Sequence, residues 1–508
     1  MTNPSVKSRF AISATANLIR GGISFLTTVF IARAFGPEQY GNIVFLLGSF
    51  AAVRSLLDMG TGSAFYTFIS KKPQAFAFYV SYAIWQLVQF LLPFLIIAFI
   101  FPQSWLDTIW VGQERSLILL AFAATFFQQL LWPTMTHIGE SRRLTQRVQV
   151  LNISISVANL FLIFGAWALE ILTVPLLFWI LLTQYLFGLL FAVKVLSVFE
   201  VGKEPLNIRS MLREYLAYCL PLFVSYWLAF VSEFADRWLL QNFGGAEEQA
   251  FFMLGHRFAA IGLLATTSML NIFWKEIAEA QEKQNLDRLR TLYQKISRFL
   301  YTTSAVICGL LIPWANEIVA KTLGPSYISG SSVLAIMFIF PLHATLGQVN
   351  LTFLLSTGKT KISMIIGSIF MFVSIPITYF VQAPQNALIP GFDLGAFGIA
   401  WKVVILNIIT VNCIAWWVAR ENNWKFDWIF QIVSSTGILG LGWIIHELVM
   451  MLNSNLNFNI LIQIGVAVVV YGIMVGLFIW LFPWLTGFSR NDIKSMVTKT
   501  LKYIRTNR

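Results

Sequence analysis

The chain has 508 residues, 57% of them hydrophobic and only 11% charged, with a formal net charge of +12 and a mean hydropathy of +0.72. No soluble domain of this length carries so few charges, so the chain reads as an all-α integral membrane protein. Apolar runs of about 20 residues, enough to cross roughly 30 Å of hydrocarbon as helix, recur from Ala11 almost to the C-terminus, and strand-like alternation is absent, which excludes a β-barrel.

The first run, Ala11 to Ala32, is too long for the core of a signal peptide, and the Arg33-Ala34-Phe35-Gly36-Pro37 that follows lacks an A-x-A-like cleavage site. It is the first of about fourteen expected spans: 11–33, 42–69, 77–101, 117–138, 148–167, 171–196, 215–239, 250–272, 299–316, 331–357, 362–381, 394–418, 428–447 and 459–482. An even number places both termini on one side. The loops on that side hold 26 Lys and Arg residues, among them Lys71, Lys72, Arg142, Arg143 and six between Lys275 and Arg298, whereas the other side holds only Arg33, Arg115 and Lys321. The positive-inside rule therefore predicts cytoplasmic termini, and the positive net charge reflects topology, not nucleic-acid binding.

The outer loops are short, about 14 residues at most, around Gln103 to Arg115 and Gln382 to Asp393. The internal segment from Lys275 to Arg298 mixes both charge signs at helical spacing and reads as a solvated helical linker. After Phe488, Ile493, Met496, Val497, Leu501 and Ile504 share one helical face among basic residues, the pattern of an interfacial helix drawn to anionic membrane lipids. Cys219, Cys308 and Cys413 lie in three separate spans without metal or redox spacing, and His137, His256, His343 and His446 are isolated, so no metal and no cofactor is expected.

Phe35-Gly36-Pro37-Glu38-Gln39-Tyr40 after the first span is echoed by Phe243-Gly244-Gly245-Ala246-Glu247-Glu248-Gln249 after the seventh. This repeat predicts two six-helix halves in parallel orientation, a bundle at 1–205 and another at 206–420, followed by an additional helix pair at 421–484 and a basic amphipathic tail at 485–508.

Seven stretches carry a family resemblance: IARAFGPEQYGNIVF at 31–45, LLDMGTGSAFYTFISKK at 56–72, EYLAYCLPLF at 214–223, FADRWLLQNFGG at 234–245, LGPSYISGSSVLAIM at 323–337, LLSTGKTKISMIIG at 354–367 and LGAFGIAWKVV at 394–404. Together they resemble the polysaccharide flippases of the multidrug/oligosaccharidyl-lipid/polysaccharide exporter superfamily, proteins that flip undecaprenyl-diphosphate-linked oligosaccharides such as O-antigen units. The resemblance implies two six-helix bundles around a central cavity, a lipid-linked oligosaccharide as substrate, and a polysaccharide polymerase and chain-length regulator as partners in the same membrane.

Charges inside the spans are the candidate binding residues, because an arginine at mid-membrane costs about 2.5 to 3.5 kcal/mol on insertion scales and normally faces a cavity or a partner. Arg20 and Arg257 have no carboxylate at i±3 or i±4 and are read as cavity-lining. Arg54 has Asp58 at i+4, and Arg237 has Glu233 at i−4 with Asp236 adjacent, so each could pair within its own helix. Site lining and pairing are balanced for Arg54, and pairing is preferred for Arg237. Lys402, about two turns from the outer end of its span, is a weaker candidate that could snorkel outward. These residues lie on the first, second, seventh, eighth and twelfth spans, and the resemblance implies that the first two face the seventh and eighth across the cavity.

Arginine suits a diphosphate because its planar fork makes paired, charge-assisted hydrogen bonds and stays charged when desolvated. A glycan would use aromatic and amide groups, for which Trp85, Gln86, Gln128, Gln129, Trp132, Tyr226 and Trp227 are available. His256, beside Arg257, is the candidate for protonation coupling. The leading expectation is a lipid-linked oligosaccharide flippase. A cation-coupled drug exporter is the alternative, disfavoured by the charges Arg20, Arg54, Arg237, Arg257 and Lys402 against Asp58, Glu233 and Asp236, and a membrane polymerase or glycosyltransferase lacks both a large loop and paired carboxylates.

Overall fold

The computed structural model describes residues 6–196, 208–456, 459–488 and 490. The helices are α1 Val6–Asp58, α2 Thr61–Lys71, α3 Phe76–Leu95, α4 Gln103–Ile109, α5 Arg115–Phe126, α6 Trp132–Ser141, α7 Thr145–Ala168, α8 Val174–Val195, α9 Ile208–Leu239, α10 Gly245–Glu282, α11 Leu286–Leu311, α12 Ala315–Thr322, α13 Ser331–Met337, α14 Phe340–Ser356, α15 Thr360–Gln382, α16 Gly395–Glu421, α17 Ile429–Leu456 and α18 Ile460–Leu481. Among the described residues there is no strand, and the tail helix expected after Phe488 lies outside them, apart from the single residue Arg490.

Twelve stretches among the described residues are long and apolar enough to cross a membrane. Two of these, Ile12–Asp58 with 47 residues and Met211–Leu263 with 53, are each about twice the length one crossing needs. Both are broken in the middle by a glycine in a conformation that other residues avoid: Gly36 at φ 72 and ψ 173, and Gly245 at φ 85 and ψ −179. Counting each as two crossings gives the expected fourteen. The two glycines are thus conformational equivalents, and the short sequence repeat is also a repeat of backbone geometry. Pro37 follows Gly36 at a position where a helix start tolerates its missing N–H.

The chain packs into two compact units, Met1–Met253 with Met371–Ile399, and Leu254–Phe370 with Ala400–Arg508. In the first unit α1 packs mainly on α7 and α9. A Cβ on Gly41 would lie 1.7 Å from the Ala246 carbonyl oxygen, so the two turn regions meet backbone to backbone. Beside them the Asn42 Oδ1 accepts from Gln241 Nε2 at 3.0 Å and Gln113 Nε2 at 3.1 Å. The core is aromatic, with Phe50 against Trp110 and Phe122, each at 5.4 Å between centroids, and Phe45 and Phe178 fully buried. The Gln103 to Arg115 loop is folded: α4 buries Leu106, and Trp110 beyond it donates to Ser49 Oγ at 3.2 Å.

The second unit is built on α11, which packs against α14 and α17. Gly442 faces Gly309 so closely that a Cβ would lie 1.9 Å from the Gly309 carbonyl oxygen, and this approach brings α17 onto α11. The Lys275 to Arg298 segment is the expected helical element. It forms a hairpin in which α10 ends at Glu282, Asn285 accepts from the Arg288 N–H at 2.9 Å, and Lys283–Glu279 and Arg288–Glu276 pair at 2.7 and 2.6 Å.

Candidate functional site

The second crossing is not one helix. It stops at Asp58, turns through Met59 at φ 47 and Gly60 at φ 84, and restarts as α2. Leu222 leaves 2.9 Å between its Cδ1 and a would-be Cβ on Gly60, so the turn needs glycine for space as well as for φ. Asp58 Oδ1 accepts the Gly62 N–H at 2.7 Å and the Thr61 hydroxyl at 3.4 Å, placing a carboxylate on the positive end of α2. Discontinuous helices of this type expose backbone ends at membrane depth and recur at transporter sites.

With Asp58 turned toward α2, no ion pair joins it to Arg54 among the described residues. Arg54 is half-buried, and its Nε is buried with no hydrogen-bond partner. An unsatisfied guanidinium nitrogen is costly and marks a place where a ligand group or water completes the bonding. Tyr226 of α9 faces this region, with its hydroxyl 3.4 Å from Ser63 Oγ and within reach of both Asp58 and Arg54. One helical turn or two further along α9, Glu233 lies in the electrostatic range of both Arg54 and Arg237. The structure therefore brings together Arg54, Asp58, Glu233 and Arg237.

Among the described residues Glu233 is exposed and makes no ion pair, while Arg237 lies across Gly48, whose Cβ would stand 2.0 Å from Nη1, and donates to Met253 Sδ at 3.3 Å. Asp236 accepts from the Thr378 hydroxyl at 2.5 Å. Gly48, for which no sequence signal argued, is what admits the guanidinium into the helix contact.

Arg20 stands apart from this cluster. It is exposed, donates to Asn17 Oδ1 at 3.1 Å, and lies within electrostatic range of Tyr185 on α8. The Tyr185 hydroxyl accepts from Gln128 Nε2 at 3.3 Å, and Gln128 sits in the π-helical turn Phe127–Leu131. Such turns are frequent at functional sites because they shift one residue out of register. Several of the amide and aromatic candidates are committed to helix contacts: Gln86 donates to Thr134 Oγ1 at 2.7 Å, Trp132 to Asn152 Oδ1 at 2.8 Å and Trp85 to Thr61 Oγ1 at 3.3 Å. Gln128, Gln129 and Trp227 keep exposed surface.

Two candidates belong to the second unit. Arg257 is exposed and has no hydrogen-bond or ion-pair partner among the described residues. Lys402 is only 5% exposed, so it does not snorkel as its position suggested. Among the described residues no three His, Cys, Asp or Glu side chains converge in a way that would hold a metal.

A family model described as polysaccharide biosynthesis protein matches residues 6–273, just over half of the chain. No curated protein matches it. Among solved structures, the lipid II flippase MurJ in an inward closed conformation superposes with a TM-score of 0.67 at 14% identity, covering 92% of this chain and 98% of that one. An inward-facing multidrug resistance MATE family transporter of the MOP superfamily gives 0.59 at 14% identity, over 80% and 94% of the two chains. A MOP superfamily transporter from Pyrococcus furiosus, described as having a binding pocket of reverse polarity, gives 0.55 at 15% identity over 83% and 97%. At such identities the likeness is one of fold, and it joins flippases and exporters alike.

Proposed function

The chain belongs to the polysaccharide biosynthesis protein family, and from that premise we propose that it is a flippase for a lipid-linked oligosaccharide. In this reading it moves an undecaprenyl-diphosphate-linked glycan, such as an O-antigen unit of lipopolysaccharide, from the cytoplasmic to the outer leaflet of the bacterial inner membrane. Both termini are cytoplasmic, the two six-helix halves alternate access, and a polymerase and chain-length regulator take over the product. The observation that carries the reading is Arg54. Its neighbouring carboxylate is bonded to the start of α2, and its Nε is buried without a partner. A diphosphate oxygen would complete that bonding and gain a charge-assisted hydrogen bond away from bulk water. Arg20 and Arg257, exposed and without acidic partners, are the further cations proposed to hold the head group, with Arg237 and Lys402 as supporting charge.

The alternative is an exporter of organic cations, supported by the shared fold with a MATE family transporter and by exposed Glu233. One experiment separates the two. The purified chain is reconstituted in vesicles with a fluorescent undecaprenyl-diphosphate sugar, and the fraction accessible to a membrane-impermeant quencher is followed with time. Translocation that Arg54→Ala removes supports the flippase. Efflux of an organic cation that depends on Glu233, with no movement of the lipid-linked sugar, overturns it.

A further inference from the structure

We propose that a groove between α2, α3 and α9 holds the isoprenoid segment of the substrate next to its diphosphate; this rests on the flippase reading above. The groove encloses about 250 Å³ and its lining is almost wholly carbon. Its floor is an aromatic stack in which Phe65 lies 4.0 Å from Tyr82 and 5.7 Å from Phe78 between centroids, and both Tyr82 and Phe78 are buried. Its rim is open, with Trp85, Leu212 and Leu216 exposed.

The polar atoms of the lining are turned away or satisfied. Trp85 Nε1 donates to Thr61 Oγ1, the Tyr215 hydroxyl donates to the Thr61 carbonyl oxygen, and Ser81 Oγ donates to the carbonyl of Ala77 in its own helix. What remains is a slot that recognises hydrocarbon by contact alone.

Two further relations select the occupant. The groove ends at Thr61, whose hydroxyl donates to Asp58, and Arg54 lies one helical turn before Asp58 in α1. A single chain tethered to a phosphate at Arg54 thus enters the slot directly, whereas a phospholipid keeps its head group at the surface. The lining residues also lie 6 to 13 residues beyond Lys72 on α3 and 2 to 7 beyond Arg209 on α9, at most about 20 Å of helix from the basic loops. By the positive-inside rule this is the cytoplasmic leaflet, where the substrate arrives.

The test uses the full chain in vesicles of phosphatidylethanolamine and phosphatidylglycerol, and undecaprenyl diphosphate with a diazirine in the isoprene unit next to the diphosphate. After photolysis, peptides are mapped by mass spectrometry. Label is expected on residues 81–85 and 212–216, displaced by excess unlabelled undecaprenyl diphosphate. Ser81→Phe fills the slot without removing an interhelical contact, and should lower labelling roughly tenfold, about the loss of two buried methylene groups. Label on other helices, or label displaced equally by added phosphatidylglycerol, would overturn the proposal. Translocation of the lipid-linked sugar in the same vesicles is scored separately: transport with an unlabelled groove sinks the groove alone, and a labelled groove without transport sinks the flippase reading alone.

Discussion

Asp58 Oδ1 accepts the Gly62 backbone N–H at 2.7 Å across a break in the second crossing, and so it serves the start of α2 instead of neutralising Arg54. One hydrogen bond decides the electrostatics of the region. A carboxylate bonded to the positive end of a helix is partly compensated there, and the arginine one turn earlier keeps its charge for something else.

The first prediction follows from that bond. Asp58→Ala leaves the Gly62 N–H without an acceptor in a region with little water, and should cost about 1 to 2 kcal/mol of stability. Asp58→Asn keeps an acceptor oxygen and should recover at least half of the loss. Thermal unfolding of the purified variants in detergent checks this. Equal destabilisation by both changes would mean that the charge, not the bond to Gly62, matters.

The second concerns Gly36 and Gly245. Both have φ and ψ values that are essentially confined to glycine, yet neither has an atom within 4 Å of where a Cβ would stand. Alanine at either site meets no steric clash and only backbone strain, about 1 to 3 kcal/mol. Gly244→Ala is the control, since Gly244 lies in a helical turn and a Cβ there would touch only the flexible Glu248 and Leu240 side chains at 3.2 and 3.3 Å. Gly36→Ala and Gly245→Ala should therefore lower the unfolding temperature clearly more than Gly244→Ala. Three similar values would show that the equivalence of the two turns has no energetic content.

The class of fold was legible in the apolar runs, because a bilayer imposes its length on every crossing helix. The Phe-Gly repeat was legible as well, since both turns need glycine. What sequence spacing misread was local polarity. Arg54 and Asp58 at i, i+4, and Glu233 and Arg237 at the same spacing, have the pattern of paired charges on a helix. The first pair fails because the helix ends at Asp58, a stop that Asp58-Met59-Gly60-Thr61-Gly62 does announce through its two glycines. Glu233 lies exposed without an ion pair among the described residues, and a glycine on another helix, Gly48, offers the Arg237 guanidinium a place to lie. Lys402 was misjudged for a related reason, as nothing in one helix tells how deeply its neighbours cover it.

The third prediction tests how the last two helices are fastened. Arg298 pairs with Asp427 at 2.8 Å, donates to the Trp484 carbonyl oxygen at 3.0 Å, and lies over the Phe430 and Trp484 rings. These contacts tie α11 to both ends of the α17–α18 pair. Arg298→Ala should cost about 1 to 3 kcal/mol, and Arg298→Lys should restore only a minority because it loses the fork. Limited proteolysis between α16 and α17 reports this directly: cleavage near Trp424 should accelerate in Arg298→Ala. An unchanged rate would remove the fastening role.

The last prediction returns to the arginines. If Arg54 binds a diphosphate, Arg54→Ala should abolish translocation of the lipid-linked sugar while the protein reaches the membrane at normal abundance, because removing a half-buried unpaired charge relieves a cost. Asp58 is not stranded by the change, since its partner is the Gly62 N–H. The double variant Arg54→Ala with Asp58→Asn should therefore remain inactive, whereas recovery in the double variant would mean that Arg54 serves only to balance Asp58. Arg20→Ala and Arg257→Ala should each lower transport at least tenfold, the loss of one charge-assisted hydrogen bond of about 1.4 kcal/mol or more. Lysine at either position should recover part of it, as a point charge replaces a planar fork. Arg237→Ala sets the contrast, for it opens a void beside Gly48 and Met253 and should show itself first as lost stability. Full transport in Arg20→Ala, Arg54→Ala and Arg257→Ala alike would remove the cationic head-group site altogether.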